Sequence, residues 1–387
     1  MESATQFVDT AFIGLCLFCA NLLFLRKRDT GVFMPLAALF LIQGLSSLGA
    51  LIADASVSEV EFNLLMRVSV LVVVFDLASP FLFWLYVRAL TSEADEAHKP
   101  RLRYHLPPII ICGLLMSSLM FLPTDLSDVD LPEDDPRLLR FVLIALAVLV
   151  ADVLFRIIMA VYLILIIRIL MTYRKRLREV FASTENRELT WVWVITMAAL
   201  SFWFLSAAVS ILTVSEAVGF EVQDELLDFL ESLALLFLFW VIGIWGLRQR
   251  PGLTRTPVSD PPDPDEPSER KYKKSALDEE RAARIAKKIE TAMSQDLLYR
   301  EPNLSLWDLA KHIGVTSHYV SQTLNANLNS TFFDYINRWR INDAIEQLTS
   351  TDETILNIAY DVGFNSRSAF YKAFKRETGK TPSDVRN

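Results

Sequence analysis

The chain has 387 residues, enough for two or three domains, and 52% of them are hydrophobic, an unusual share for a protein soluble throughout. Its net charge of −8 is unevenly spread: residues 1–269 hold 20 Lys and Arg against 31 Asp and Glu, whereas residues 270–387 hold 18 against 15. So few cations up front exclude a nucleic-acid binder along the whole length and predict different partners for the two ends.

Seven apolar segments follow in chain order, at 8–25, 32–53, 65–90, 104–122, 138–171, 191–214 and 226–247. Each suffices for a hydrocarbon core that needs about 20 helical residues. PPIIICGLLMSSLMF and LIALAVLVADVLF lack the polar stripe of a soluble amphipathic helix. The start does not read as a signal peptide, because Glu2 and Asp9 precede or interrupt the apolar run and Arg26, Lys27 and Arg28 follow it. Cys16 and Cys19 have C-x-x-C spacing, but no second Cys/His pair lies nearby to complete a zinc site. The expectation is two small apolar residues on a lipid-facing helix.

Basic residues set the orientation. Arg26–Arg28, then Arg88, Lys99, Arg101 and Arg103, then RKRLR at 174–178 with Arg187, fall between segments 1–2, 3–4 and 5–6. The alternate loops at 54–64 and 215–225 carry none, and 123–137 has six acids and only Arg137. Since Lys and Arg favour the cytoplasmic side, the N-terminus is expected outside and the C-terminus inside. The fifth segment exceeds one crossing, as expected for a tilted helix continuing into the cytoplasm through RKRLREVF.

Ionisable residues at membrane depth are functional candidates by default. Asp76, Asp152, Arg156 and Glu231 form the candidate signal pocket, with Arg156 as a cationic anchor. The structural alternative is a self-neutralising Asp152–Arg156 pair at i, i+4, with Asp76 as interhelical glue.

Residues 251–267 contain six prolines, which favours an extended spacer over a packed core. From Ser275 short amphipathic helices take over. Leu306, Leu309, Ala310 and Ile313 share one helical face, Ser305 and Asp308 fit a helix start, and Gly314 breaks the helix. The next segment buries Val320 and Leu324. Shifted by 49, Ile355, Ile358, Ala359 and Val362 repeat the face and Gly363 repeats the turn; Phe370 and Phe374 repeat Val320 and Leu324 at a shift of 50. Helix, glycine turn and second helix make a helix-turn-helix, here present twice. Between the copies, FFDYINRWRINDAIEQL reads as a strut of roughly 25 Å with Phe332, Ile336, Ile341, Ala344, Ile345 and Leu348 inward. Such a pair suits successive major-groove segments about 34 Å apart.

These residues resemble the DNA-binding domain of AraC/XylS-type transcription regulators over about the last 110 positions. The resemblance is carried by Leu306, Leu309-Ala310, Ser321, Asn325, Phe332, Tyr335-Ile336-Asn337, Arg340-Ile341, Ala344, Ile355, Ile358-Ala359, Gly363-Phe364, Ser366, Ser368, Phe370, Phe374-Lys375, Gly379, Thr381-Pro382 and Arg386. Val385 stands where the family usually has an aromatic, and Asn329 where glycine is common. The resemblance implies base-facing positions at His318, Ser321, Gln322, Arg367, Ser368, Tyr371 and Lys372. Helical geometry, with Val320, Leu324, Phe370 and Phe374 inward, independently turns out His318, Gln322, Asn325, Ser368, Lys372 and Lys375. Gln suits adenine's donor and acceptor, while Lys and Arg suit guanine's acceptors. Asn325, Lys375, Arg376 and Lys380 are candidate phosphate contacts.

The expected protein is therefore all-α. A seven-helix transmembrane sensor occupies 1–250, a Pro-rich linker 251–274 and an AraC-type domain with two helix-turn-helix units 275–387. It is expected in a bacterial inner membrane with the tail in the cytoplasm, as a one-component regulator. Expected partners are promoter DNA, the lipid bilayer, a small-molecule or membrane signal, RNA polymerase and a second copy of the chain. No H-E-x-x-H, P-loop or G-x-S-x-G motif is present, so no catalytic residue, cofactor or metal is expected. The alternative is a transporter or channel with a regulatory or assembly tail.

Overall fold

The computed structural model describes residues 2–26, 30–54, 70, 74–92, 102–121, 136–185, 189–216, 224–249 and 279–386. The linker at 251–274, the acidic loop at 123–135, and Lys27, Arg28, Lys99, Arg101 and Arg187 lie outside them. Among the described residues the secondary structure is helical, apart from one isolated antiparallel bridge between Phe181 and Ser305. The chain divides into two compact units, Met1–Leu170 with Leu189–Thr254, and Met171–Glu188 with Arg255–Asn387. Residues 171–188, which sequence patterning groups with the apolar half, thus join the C-terminal unit.

The first unit contains α1 (Glu2–Phe24), α2 (Thr30–Asp54), α3 (Ser79–Thr91), α4 (Leu102–Met116), most of α5 (Pro136–Val180), α6 (Thr190–Glu216) and α7 (Asp224–Arg248). Among the described residues, six stretches are long and apolar enough to cross a membrane: Ser3–Phe24, Gly31–Ile52, Val74–Thr91, Leu102–Phe121, Pro136–Val180 and Phe229–Arg248. A shorter apolar stretch covers Thr190–Ser201. Such helices satisfy their backbone groups internally, and apolar side chains such as Phe18, Leu114, Leu143 and Phe237 stay exposed on their surfaces.

Small residues decide which helices come closest. A Cβ added at Gly44 would stand 3.1 Å from Cys16 Cβ, one at Gly243 2.9 Å from Cys19 Sγ, and one at Gly246 within 2.6 Å of Leu36 Cδ2. Cys16 and Cys19 are therefore buried between α1, α2 and α7, not lipid-facing, because they meet glycines where helix backbones pack. Phe239 of α7 packs edge-on against Phe12 and Phe40, at 5.2 and 5.5 Å between ring centroids. Arg26 donates to the carbonyl oxygens of Leu247 and Gln249 at 2.8 and 3.1 Å, a cation at the C-terminal end of α7.

The second unit contains the last turns of α5, then α8 (Glu279–Ser294), α9 (Leu306–Ile313), α10 (Ser317–Gln322), α11 (Phe332–Ser350), α12 (Ile355–Asp361), α13 (Arg367–Thr378) and α14 (Pro382–Arg386). Two cores share α11. Phe332 and Ile336 enter a cluster with Ile289, Leu309, Val320 and Leu324, while Ile341, Ala344 and Leu348 enter another with Ile358, Val362, Phe370 and Phe374. The inward residues inferred from spacing are those that pack, with Ile313, Ile345 and Ile355 only partly covered. Val385 also packs partly against the second cluster.

Arg340 ties the two cores together. It is 1% exposed, donates from Nε to Tyr299 O at 2.7 Å and from Nη2 to Glu301 O at 2.8 Å, and lies over the Phe364 ring. Burial pulls its pKa down to about 10, opposed by the Glu301 charge, so it stays protonated at neutral pH. Gly363 completes the join: at φ 98, a Cβ there would meet Arg300 O at 2.7 Å and Tyr299 O at 2.8 Å.

Candidate nucleic-acid interface

The pair α9–α10 is built by local chemistry. Ser305 caps α9 by accepting from Asp308 N at 3.2 Å, while Asp308 Oδ2 accepts from Ser305 N at 3.0 Å. Gly314 ends the helix at φ 65, and Val315 N donates back to Ala310 O. α10 is short and gives way at Thr323–Asn327 to a π turn, followed by Asn329 at φ 44. The left-handed backbone there is taken by Asn, whose short polar side chain tolerates it.

The pair α12–α13 follows the same logic. Thr354 caps α12 through Asn357 N, and Phe364 N donates to Ala359 O across the glycine turn. Ser366 caps α13 by accepting from Ala369 N at 3.2 Å. Gly379 closes α13 at φ 73.

On α10, His318 is exposed, whereas Ser321 and Gln322 are half-buried. Gln322 Oε1 is buried without a hydrogen-bond partner. Asn325 is exposed beyond the helix proper, with Nδ2 3.4 Å from Ser321 Oγ. On α13, Arg367, Ser368, Lys372 and Lys375 are exposed, and Tyr371 is half-buried with Arg367 lying over its ring at 5.1 Å. Arg376 is also exposed but engages Asp334 of α11 at 3.3 Å and Glu377 at 3.1 Å, so it braces α13 as well as carrying charge. Lys380 is exposed past the end of α13. Helix α13 thus offers a file of cations, whereas α10 offers uncharged donors and acceptors.

The candidate membrane residues occupy different settings. Asp76 precedes α3 and accepts from Ser79 Oγ at 2.7 Å and from Gln43 Nε2 of α2, the arrangement of interhelical glue. Asp152 and Arg156 form a two-point ion pair along α5 at 2.8 and 3.1 Å. Glu231 is exposed on α7. Sequence reasoning missed the His105 Nδ1–Tyr162 Oη contact at 2.9 Å and the tilted packing of the His105 ring against Trp84, 4.7 Å between centroids. It also missed the bonds made by Ser183 and Glu185 to the turn before α13. No spacing rule joins residues about 180 positions apart.

Residues 309–387 match the family described as "Helix-turn-helix domain". Over 89 residues the chain is 36% identical to an uncharacterized HTH-type transcriptional regulator of Staphylococcus aureus (strain COL), covering 23% of this chain and 12% of that one. Over 92 residues it is 37% identical to a putative AraC-like transcription regulator of Streptomyces lividans, covering 23% and 30%. A solved protein of unknown function from Listeria innocua aligns at 31% identity over 25% of this chain and 93% of its own, with a TM-score of 0.23. The C-terminal region is thus an AraC-type helix-turn-helix domain. The alignments span only 12% and 30% of the lengths of the two regulators.

Proposed function

We propose that this protein is a membrane-embedded, one-component transcription regulator. Its two helix-turn-helix units, α9–α10 and α12–α13, bind promoter DNA, and a signal sensed in or across the membrane controls them. The carrying observation is the helix-turn-helix match at 309–387, on a scaffold where α13 exposes Arg367, Ser368, Lys372 and Lys375 beyond a closed core. In this reading His318, Ser321, Gln322, Arg367, Ser368, Tyr371 and Lys372 face bases, and Asn325, Lys375, Arg376 and Lys380 hold phosphates. The apolar helices anchor the protein in a bacterial inner membrane with the tail in the cytoplasm. The bonds from Arg26 to the end of α7 support that topology, since they put the ends of α1 and α7 on one side, as an odd number of crossings requires. Asp152 and Arg156 are the proposed signal-sensing pair, and no catalytic role is proposed.

The test is selection of duplexes from a random pool by the full chain in lipid nanodiscs at moderate salt. Enrichment of one motif is expected; uniform recovery of all sequences would refute the reading and favour a transporter or channel with an assembly tail. A reporter fused after Asn387 should be active in the cytoplasm, and a periplasmic reporter would refute the topology.

A further inference from the structure

The last turn of α5 and the residues that follow it are docked on the helix-turn-helix domain. Ala182 N donates to Leu304 O at 3.0 Å, and Phe181 bridges Ser305, the cap of α9. Ala182 is 1% exposed within the first core, and Phe181 packs edge-on to Trp307 with 5.6 Å between centroids. Asn365 Nδ2 donates to Ser183 Oγ at 3.0 Å, and Ser366 Oγ donates to Glu185 Oε1 at 2.8 Å. The last bond matters most. Ser366 caps α13, whose N-terminus carries the positive end of the helix dipole. That end of a helix favours an anion, and on DNA the anion would be a phosphate oxygen. Here a carboxylate from the chain itself takes the position. A cavity of about 120 Å³ beside it is lined by Arg178, Ser183 and Glu185 from the segment and by Lys372 and Arg376 from α13. The segment therefore stands against a flank of α13 that carries two of the candidate DNA contacts, Lys372 and Arg376.

We propose that residues 178–185 are a built-in competitor of DNA: the docked segment, with Glu185 in the place of a phosphate, holds α13 closed to the duplex and must leave before it binds. This rests on the reading that α13 meets DNA. Because the segment directly continues α5, the helix bearing Asp152 and Arg156, a signal acting on α5 has a covalent route to it.

The test uses the full chain in nanodiscs and a duplex recovered by selection. Glu185→Gln removes the charge while keeping the shape, and should tighten binding at least tenfold. Ser183→Cys with Asn365→Cys, joined by a short reducible thiol cross-linker, should lose binding at least tenfold and regain it on reduction, while singly substituted chains treated alike should not. In the unaltered chain the Ala182 amide should exchange slowly when free and faster once DNA is added, a readout that needs no variant. Equal affinity of the cross-linked and reduced forms, or an Ala182 amide equally protected with DNA bound, would overturn the competitor. If no form of the chain recovers a preferred duplex, even after reduction, the DNA-binding reading itself falls, and the proposal with it.

Discussion

Replacing Gly363 by Ala tests how the two helix pairs are held at a fixed separation. The backbone there has φ 98, and the added methyl would stand 2.7 and 2.8 Å from the carbonyl oxygens of Arg300 and Tyr299, backbone atoms that cannot swing aside. The conformational penalty is about 1–2 kcal/mol, and forcing an extra methyl into a packed site adds about 1–3 kcal/mol. The expected loss is therefore roughly 2–5 kcal/mol, a 30-fold to several-thousand-fold rise in opening of the second core at about 1.4 kcal/mol per decade. Gly314→Ala is the matched control. Its φ of 65 imposes a similar conformational penalty, but nothing lies within 4 Å of its added Cβ, so about 1–2 kcal/mol is expected. Hydrogen exchange of the full chain in nanodiscs reads both, through the amides of α11 and α13. If the two variants lose equal protection, the contact between Gly363 and the 299–300 backbone contributes nothing, and the account of how the two cores are joined is wrong.

Arg340→Met should leave the Tyr299 and Glu301 carbonyls without their donor, costing about 1–3 kcal/mol for each, and a denaturation midpoint unchanged from the parent would contradict the bridging role. Lys372→Ala should relax base preference at one position of the selected duplex. Lys375→Ala should weaken all duplexes alike and lower the salt dependence by about one counterion; a motif unchanged by the first, or a salt slope unchanged by the second, would reassign that residue. Asp384 has its pKa held below the usual carboxylate value by hydrogen bonds from the Thr381 hydroxyl and backbone. Its folded value being depressed, the stability it lends to α14 is present above the unfolded pKa of about 3.9 and lost as pH falls through the lower folded value. Exchange at 382–386 should accelerate in that acid window in the parent chain, and Asp384→Asn should remove the pH dependence.

Much of the fold was legible because it rests on short-range rules. The repeat of Leu309, Ala310 and Ile313 as Ile358, Ala359 and Val362 is helical periodicity, and Ser305 with Asp308 is a cap recognisable from spacing alone. Continuous apolar runs likewise announce helices fit for lipid without reference to any neighbour. The π turn after Gln322 escaped this reasoning, because an apolar pattern does not report a single widened hydrogen-bond ring. Arg340 read as one matching residue among many; only packing shows it as a buried charge held by two carbonyls.

The sequence by itself determined the apolar and basic halves, the duplicated helix pair and the outward polar file on α13, since each depends on residues a few positions apart. Tertiary structure decided that Cys16 and Cys19 meet glycines of other helices, that Gly363 rests on the 299–300 backbone, and that Glu185 reaches the cap of α13. Those contacts join residues tens to hundreds of positions apart, and no local periodicity encodes which distant surfaces meet once the chain closes on itself.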